Sequence, residues 1–427
     1  MKAVLSNRIY LECTREYRDY LNDLLTYTIP SYRPDDPPLV IKNMARIRDN
    51  IVTIPIGRMD LIPDDYEIVD NRILHPVKFP EFQFTLRPSQ LSVYHDINDN
   101  AIVNAEPSWG KTFVGLAIAG KLGQKTLVVT HTVNLRNQWI KEAKKVMGVA
   151  PGVIGSGQFN IDAPIVVGNT QTLYRNIPLI KKEFGTLILD EMHHVSAPSF
   201  SRLVDTNFAR YKIGLSATIE RKDGKHVVFR DYFGNNIYKP PKENYMVPSI
   251  NIVRTEIRFP DGARIPWANR VTTLANNYEY KHLVAMLAAA YAAKGHRVLV
   301  VSDRTAFLKS CSELIGEKAV CIIGEVEQEQ RDTLQNQVAS GKKEVLCGTQ
   351  AIFAEGINIP ELSCLILGTP LNNDPLLKQL IGRVTRECES KLPPIIVDIH
   401  LVGNTARRQA SARMGHYMRQ GYYITEL

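Results

Sequence analysis

The stretch Ala105-Glu106-Pro107-Ser108-Trp109-Gly110-Lys111-Thr112 opens the apolar run Phe113-Val114-Gly115-Leu116-Ala117-Ile118-Ala119-Gly120. A glycine, a lysine and a threonine in succession at the start of an apolar helix make an anion site. Backbone N–H groups there point at a phosphate, and the helix dipole favours its negative charge. Lys111 would reach the terminal phosphates of a nucleotide and Thr112 would place its hydroxyl on Mg²⁺. The spacing is that of a phosphate-binding loop, with Ala105 where the first glycine usually stands. A surface turn can carry the same three residues, so the loop gains meaning only together with an acidic partner farther along the chain.

The run Leu187-Ile188-Leu189 ends in Asp190-Glu191-Met192-His193-His194. An acidic residue at the C-terminal end of a buried parallel strand, beside a phosphate loop, can hold Mg²⁺, usually through water. Asp190 fills that role in our reading. Glu191 is placed to orient and deprotonate an attacking water, the general-base step of phosphate hydrolysis. Ser216-Ala217-Thr218 closes the next strand, and its hydroxyls can hydrogen-bond His193 or the acidic pair. Farther on, Gln379-Leu380-Ile381-Gly382-Arg383-Val384-Thr385-Arg386 puts Gln379, Arg383 and Arg386 at helical spacings, so they are expected to share a face. Two arginines on one face can stabilise charge on a transferring phosphoryl group, although a solvated basic face would look the same.

These groups need a scaffold, and the pattern supplies one. Thr126-Leu127-Val128-Val129-Thr130 is a continuous apolar strand of the kind buried on both faces, followed by a helix over 134–147. Further strands are expected at 163–168, 186–190 and 212–216, and helices alternate with strands again from 281 to 399. That rhythm implies two doubly wound parallel α/β sheets. Residues 1–80 carry short strands and one amphipathic helix, 15–27, and read as a small α+β accessory domain. The expected organisation is 1–80 accessory, 81–235 nucleotide-binding, 236–275 a proline-rich connector with one strand at 250–257, and 276–427 a second α/β domain ending in a basic helix.

The order LRPSQ, AEPSWGKT, VVTHT, NTQTL, DEMHH, SAT, FAEGINIP and QLIGRVTR, from Phe84 to about Ile399, resembles the motif series of superfamily 2 helicases of the DExH kind. In size and in its short N-terminal domain the chain is most similar to phage UvsW-type DNA-remodelling helicases, and beyond them to the RecG and XPB groups. The resemblance implies two RecA-like domains in tandem, an ATP- and Mg²⁺-dependent motor, and branched or partly single-stranded DNA as partner. It implies that Arg87 and Gln90 contact the adenine, and that the loop from Ala105 through Ser108, Trp109 and Gly110 to Lys111 and Thr112 holds the phosphates. Asp190 and Glu191 would drive hydrolysis, while His193, Ser216 and Thr218 couple it to movement. Gln379, Arg383 and Arg386 would complete the site. His131, Thr132, Thr170, Ser302 and Thr349 would touch the nucleic-acid backbone. The chain departs from the pattern at Ser108 and Trp109, which replace a small glycine-containing pair, and at Asn358, where aspartate is commoner. An RNA helicase of the same architecture, the motor subunit of a restriction-type assembly and an ATP-gated nucleic-acid clamp remain the alternatives.

Composition sets the outer bounds. The 427 residues, 44% hydrophobic and 22% charged, are too many for one ordinary domain. The longest apolar run, 283–293, is far short of the roughly 20 residues that span a bilayer, and the N-terminus has no signal-like apolar core. A protein that stays in the cytoplasm, the host's if phage-encoded, with no membrane partner, is expected. Six cysteines without CxxC spacing argue against zinc and against a disulfide framework. A net charge of +8 and a pI near 9.0 favour a polyanionic partner. Arg407, Arg408, Arg413 and Arg419 stand against Glu426 alone, so a basic face is expected at the C-terminal end.

Overall fold

Every residue of Thr126–Thr130, Ile165–Asn169 and Thr186–Asp190 is buried, as the continuous apolar runs require of central strands covered on both faces. They lie in an eight-stranded sheet whose order is Gln158–Phe159, Gly152–Gly155, Ile165–Asn169, Thr126–Thr130, Thr186–Asp190, Tyr211–Ser216, Ala101–Asn104 and Ile237–Tyr238. All pairings are parallel except that between the first two. This computed structural model describes residues 1–30, 37–107, 109–148, 150–196, 198–217, 219, 225–243, 245–261, 265–350, 359–371, 373–389 and 391–427. Ser108, Thr218 and Asn358, with most of FAEGINIP, fall outside the described residues.

The chain divides into two compact units at Glu243/Asn244. In the first, a five-stranded N-terminal sheet (Lys2–Leu5, Ile9–Glu12, Ala45–Arg48, Ile51–Ile54 and Glu67–Asp70) buries Ala3, Leu5, Ile9 and Leu11 against Leu21 of the helix Arg15–Leu24. Charged locks fix this small domain to the parallel sheet's flank. Arg8 donates to both oxygens of Asp205 at 2.6 and 2.8 Å, and the fully buried Asp231 accepts from Tyr27 at 3.0 Å and Asn43 at 2.5 Å.

The second unit is built on a seven-stranded, all-parallel sheet ordered Ala319–Ile322, Val345–Thr349, Arg297–Ser302, Leu362–Leu367, Ile395–Val402, Ser249–Arg258 and Tyr423–Glu426. Both units are therefore α/β domains with parallel sheets, in tandem after the small N-terminal domain. One strand departs from the sequence reading. Residues 250–257, expected in a connector, form Ser249–Arg258 inside this sheet, with Ile250 and Ile252 fully buried. The flanking prolines suggest a linker, but the alternation of buried and half-exposed positions is that of a strand near a sheet edge.

Arg413 corrects a second expectation. It does not contribute to a basic face: on the helix Asn404–Arg419 it points inward and grips Asp398 through two bonds of 2.8 and 2.7 Å, with a third to the Leu371 carbonyl at 3.1 Å. Tyr417 donates to the same carboxylate at 3.1 Å. Burial alone would push the Asp398 carboxyl up, yet the charge and the bonds of Arg413, with the His400 ring 3.7 Å away, hold it at about 2. Removing one partner strands a buried charge, so Arg413→Ala is expected to cost about 3–5 kcal/mol of the second unit's stability in urea unfolding. Because the folded value lies below the unfolded one of about 3.9, this stabilisation is complete above that value and fades as pH falls toward 2. The Arg413→Ala penalty should shrink over the same window.

Candidate functional site

The strand Ala101–Asn104, a four-residue element without a signature in the sequence pattern, delivers the chain into the phosphate loop. The helix Lys111–Leu122 begins directly after Gly110, whose φ of +91° is the left-handed conformation that glycine adopts without strain. A Cβ on Gly110 would also lie 2.6 Å from Gln90 Nε2. Gly110→Ala should therefore distort the loop and raise the KM for nucleotide by about tenfold or more, measured by steady-state hydrolysis.

Lys111 starts the helix with its ammonium on the loop's own carbonyls, 3.0 Å from Ala105 O and 3.4 Å from Glu106 O. It also lies close enough to Asp190 and Glu191 to act on both carboxyls. Asp190 ends its strand buried, accepting from Trp139 Nε1 at 2.7 Å and from the Glu191 N–H at 3.1 Å. Burial and the neighbouring Glu191 push its carboxyl up, against the bond from Trp139 and the charge of Lys111. Burial also disfavours charge on Glu191, but there His193 and Lys111 prevail and hold the carboxylate ionised. Glu191 has a φ of +51°, a left-handed conformation that costs a non-glycine residue roughly 1–2 kcal/mol. His193 Nδ1 lies 3.3 Å from Glu191 Oε2 and 3.0 Å from Ser216 Oγ, so one ring nitrogen sits between the acidic strand end and the next strand.

Arg87 and Gln90 occupy the start of the helix Pro88–Asp96. Gln90 Oε1 accepts from the Arg87 N–H at 3.0 Å, and Gln90 Nε2 donates to the Trp109 carbonyl at 2.6 Å. Arg87 Nη2 donates to the same carbonyl. Trp109 is 1% exposed, packed in the core of the first domain, with its indole N–H on Ser89 Oγ at 2.8 Å. The residue that replaces a small one in the loop is thus a pillar beneath it.

In the second unit, Gln379 and Arg383 lie four apart on the helix Asp374–Val384. Arg386 does not extend their face. The helix stops at Val384, and Arg386 lies beyond its Thr385 cap, bridged to Tyr245, while the Met246 N–H bonds the Thr385 carbonyl at 2.8 Å. Helical spacing alone could not register this tertiary pairing, which ends the helix early.

Residues 83–221 match the family described as Type III restriction enzyme, res subunit, and residues 279–388 match the Helicase conserved C-terminal domain. The chain is 42% identical to Probable helicase D10 of Escherichia phage T5 over 99% of this chain and 95% of that protein. The chain is a superfamily 2 helicase. It is also 27% identical to Putative ATP-dependent RNA helicase L396 of Acanthamoeba polyphaga mimivirus, over 99% of this helicase and 84% of that protein. With the ATP-dependent DNA helicase uvsW of Enterobacteria phage T4 it shares 24% identity over 71% of its own length and 65% of the relative's. Among solved structures, the leucine-to-valine variant of S. cerevisiae Dbp5 bound to RNA and ADP BeF3 superposes with a TM-score of 0.57 at 13% identity, covering 81% of the helicase and 94% of that chain, a likeness of RecA-like fold.

The helicase's expected nucleic-acid contacts divide by exposure. His131 is exposed and stacks flat on His194, ring centroids 3.9 Å apart, with Phe200 beyond. Thr132 caps the helix Val133–Met147 by accepting from the Leu135 N–H at 3.2 Å, and Thr349 ends its strand half-buried. Thr170 and Ser302 are buried, their hydroxyls turned to Thr130 O at 3.0 Å and to Arg304 N and Thr369 Oγ1 at 3.0 and 3.2 Å. Their side chains have no face to offer a strand in this structure, so any contact there falls to the backbone. Trp139 and Glu243 join the site without a sequence signal, and Ser89 and His194, inside the LRPSQ and DEMHH stretches, join it without a role read for them there. Nothing in local spacing distinguishes an indole that bonds a carboxylate from one that only fills a core. Among the described residues no helix is long and apolar enough to cross a membrane, and no cluster of His, Cys, Asp and Glu has metal-holding geometry.

Proposed function

We propose that the helicase hydrolyses ATP to unwind or remodel branched or partly single-stranded DNA, such as forks and four-way junctions. The observation that carries this reading is the convergence of Lys111, Asp190, Glu191, His193 and Ser216 at the C-terminal edge of one parallel sheet, where such folds bind ligands. The name of the T4 relative and the net charge of +8 support DNA.

Lys111 exchanges its carbonyl partners for phosphate oxygens, and the N–H groups that start its helix hold the same anion. The Asp190 carboxylate and the Thr112 hydroxyl are hard oxygen donors that suit Mg²⁺, and a buried carboxyl whose charge burial disfavours gains from a cation. When bound, that ion neutralises charge on the phosphate oxygens. Glu191, held ionised, orients the attacking water and takes its proton. His193 and Ser216 join the acidic strand end to its neighbour, so movement at Glu191 reaches the strand Tyr211–Ser216. Arg383 and Arg386 are assigned the charge on the transferring phosphoryl group, with Gln379 beside Arg383. Contacts from His131, Thr132 and Thr349 to phosphate and sugar give affinity without sequence reading.

The name of the mimivirus relative favours RNA as a second reading. Matched DNA and RNA strands separate them: DNA should stimulate ATP hydrolysis more strongly than RNA of equal length, and stimulation by RNA alone would overturn the DNA assignment.

A further inference from the structure

Glu243, the last residue of the first unit, returns to the start of the helix Pro88–Asp96. Its Oε1 accepts from the Ser89 N–H at 3.1 Å, and its Oε2 lies 3.9 Å from Arg87 Nη1. Both Arg87 Nη1 and Glu243 Oε2 are buried and neither has a hydrogen-bond partner. The pair therefore faces itself across a gap slightly longer than a hydrogen bond. Arg87's other terminal nitrogen, Nη2, is spent on the Trp109 carbonyl, so Glu243 faces the terminal nitrogen that is left. Ser89 is a second node. Its N–H goes to Glu243 and its hydroxyl to the Trp109 indole, so the carboxylate, the helix start and the phosphate-loop pillar form one connected network.

We propose that Glu243 is a positioning residue for nucleotide-base recognition, acting through Arg87 and the Ser89 backbone on the orientation of the Arg87–Gln90 pair. This rests on the reading of Arg87 and Gln90 as the adenine contacts. The carboxylate counters the Arg87 charge and accepts an N–H that the helix itself leaves unbonded. With it in place, Arg87 is aimed and the loop carbonyl stays bonded. Without it, the guanidinium swings on a single remaining anchor while the phosphate cradle at Gly110, Lys111 and Thr112 keeps its own bonds.

The test uses the full chain and three variants. Glu243→Gln keeps an acceptor for Ser89 but removes the charge beside Arg87, whereas Glu243→Ala removes both, and Glu243→Asp shortens the reach with charge retained. We expect Glu243→Gln to raise the KM for ATP about three- to tenfold with kcat within about twofold, and Glu243→Ala to do more. The preference for ATP over GTP in kcat/KM should fall in parallel, with partial rescue in Glu243→Asp. Inhibition by tripolyphosphate, which has no base, should keep its constant. Unchanged KM and unchanged ATP-over-GTP preference in both Gln and Ala variants would overturn the proposal. So would a tripolyphosphate constant that weakens as much as KM, since that would make Glu243 a support of the loop rather than of base recognition. If the unsubstituted helicase hydrolyses no nucleotide at all, it is the ATPase reading that fails.

Discussion

Lys111→Ala is expected to lower kcat for ATP hydrolysis by about 10²–10³-fold, the loss typical of removing one preorganised charge or donor at developing phosphate charge. The effect is electrostatic and local. Lys111 is the cation that acts on both Asp190 and Glu191, and its ammonium rests on two loop carbonyls from which a phosphate can recruit it without a change of fold. Removing it leaves two acidic groups facing an incoming polyanion with no countercharge from the loop. The fold should survive, because the side chain is only half-buried and the helix begins with good formers on either choice. Malachite-green or coupled-enzyme turnover, alongside an unchanged unfolding midpoint, checks this. Turnover within a few-fold of the unsubstituted chain would remove the phosphate-loop assignment.

Glu191→Gln should reduce hydrolysis by about 10²–10⁴-fold while leaving ATP binding intact, as loss of a general base does. The amide has the carboxylate's shape, so the left-handed backbone at φ +51° and the N–H bond to Asp190 are preserved. The proton acceptor is lost, and with it the negative partner of His193, 3.3 Å away. A helicase stalled with ATP bound should hold nucleic acid more tightly than the unsubstituted chain, which filter binding or fluorescence anisotropy in ATP would register. Rapid turnover by this variant would move the base elsewhere.

Much of the fold is legible in the sequence because strands buried on both faces have no polar alternative. Thr126–Thr130 and Thr186–Asp190 read as continuous apolar runs and have those bounds in the structure. The four-residue strand Ala101–Asn104 does not, since its length carries no periodicity. The strand Ser249–Arg258 reads as a strand but in a connector, because composition reports prolines and not pairing partners. In the site, the residues whose chemistry follows from their type and spacing, Lys111, Asp190, Glu191 and His193, can be named from sequence. The groups that hold them cannot. Trp139 on Asp190, Trp109 on Ser89 and Glu243 beside Arg87 are 51, 20 and 156 residues from their partners, distances at which one sequence carries no pairing signal. Arg413 shows the same limit in reverse: its charge reads as surface, and only the fold places Asp398 opposite it.

Coupling of ATP hydrolysis to the opening of DNA is measured most directly as strand separation on a synthetic fork, followed together with phosphate release in one reaction. Separation should require ATP, phosphate release should rise when the fork is added, and Lys111→Ala should lose both. Phosphate release that no DNA accelerates, with forks and four-way junctions left intact in ATP, would contradict a DNA-opening motor.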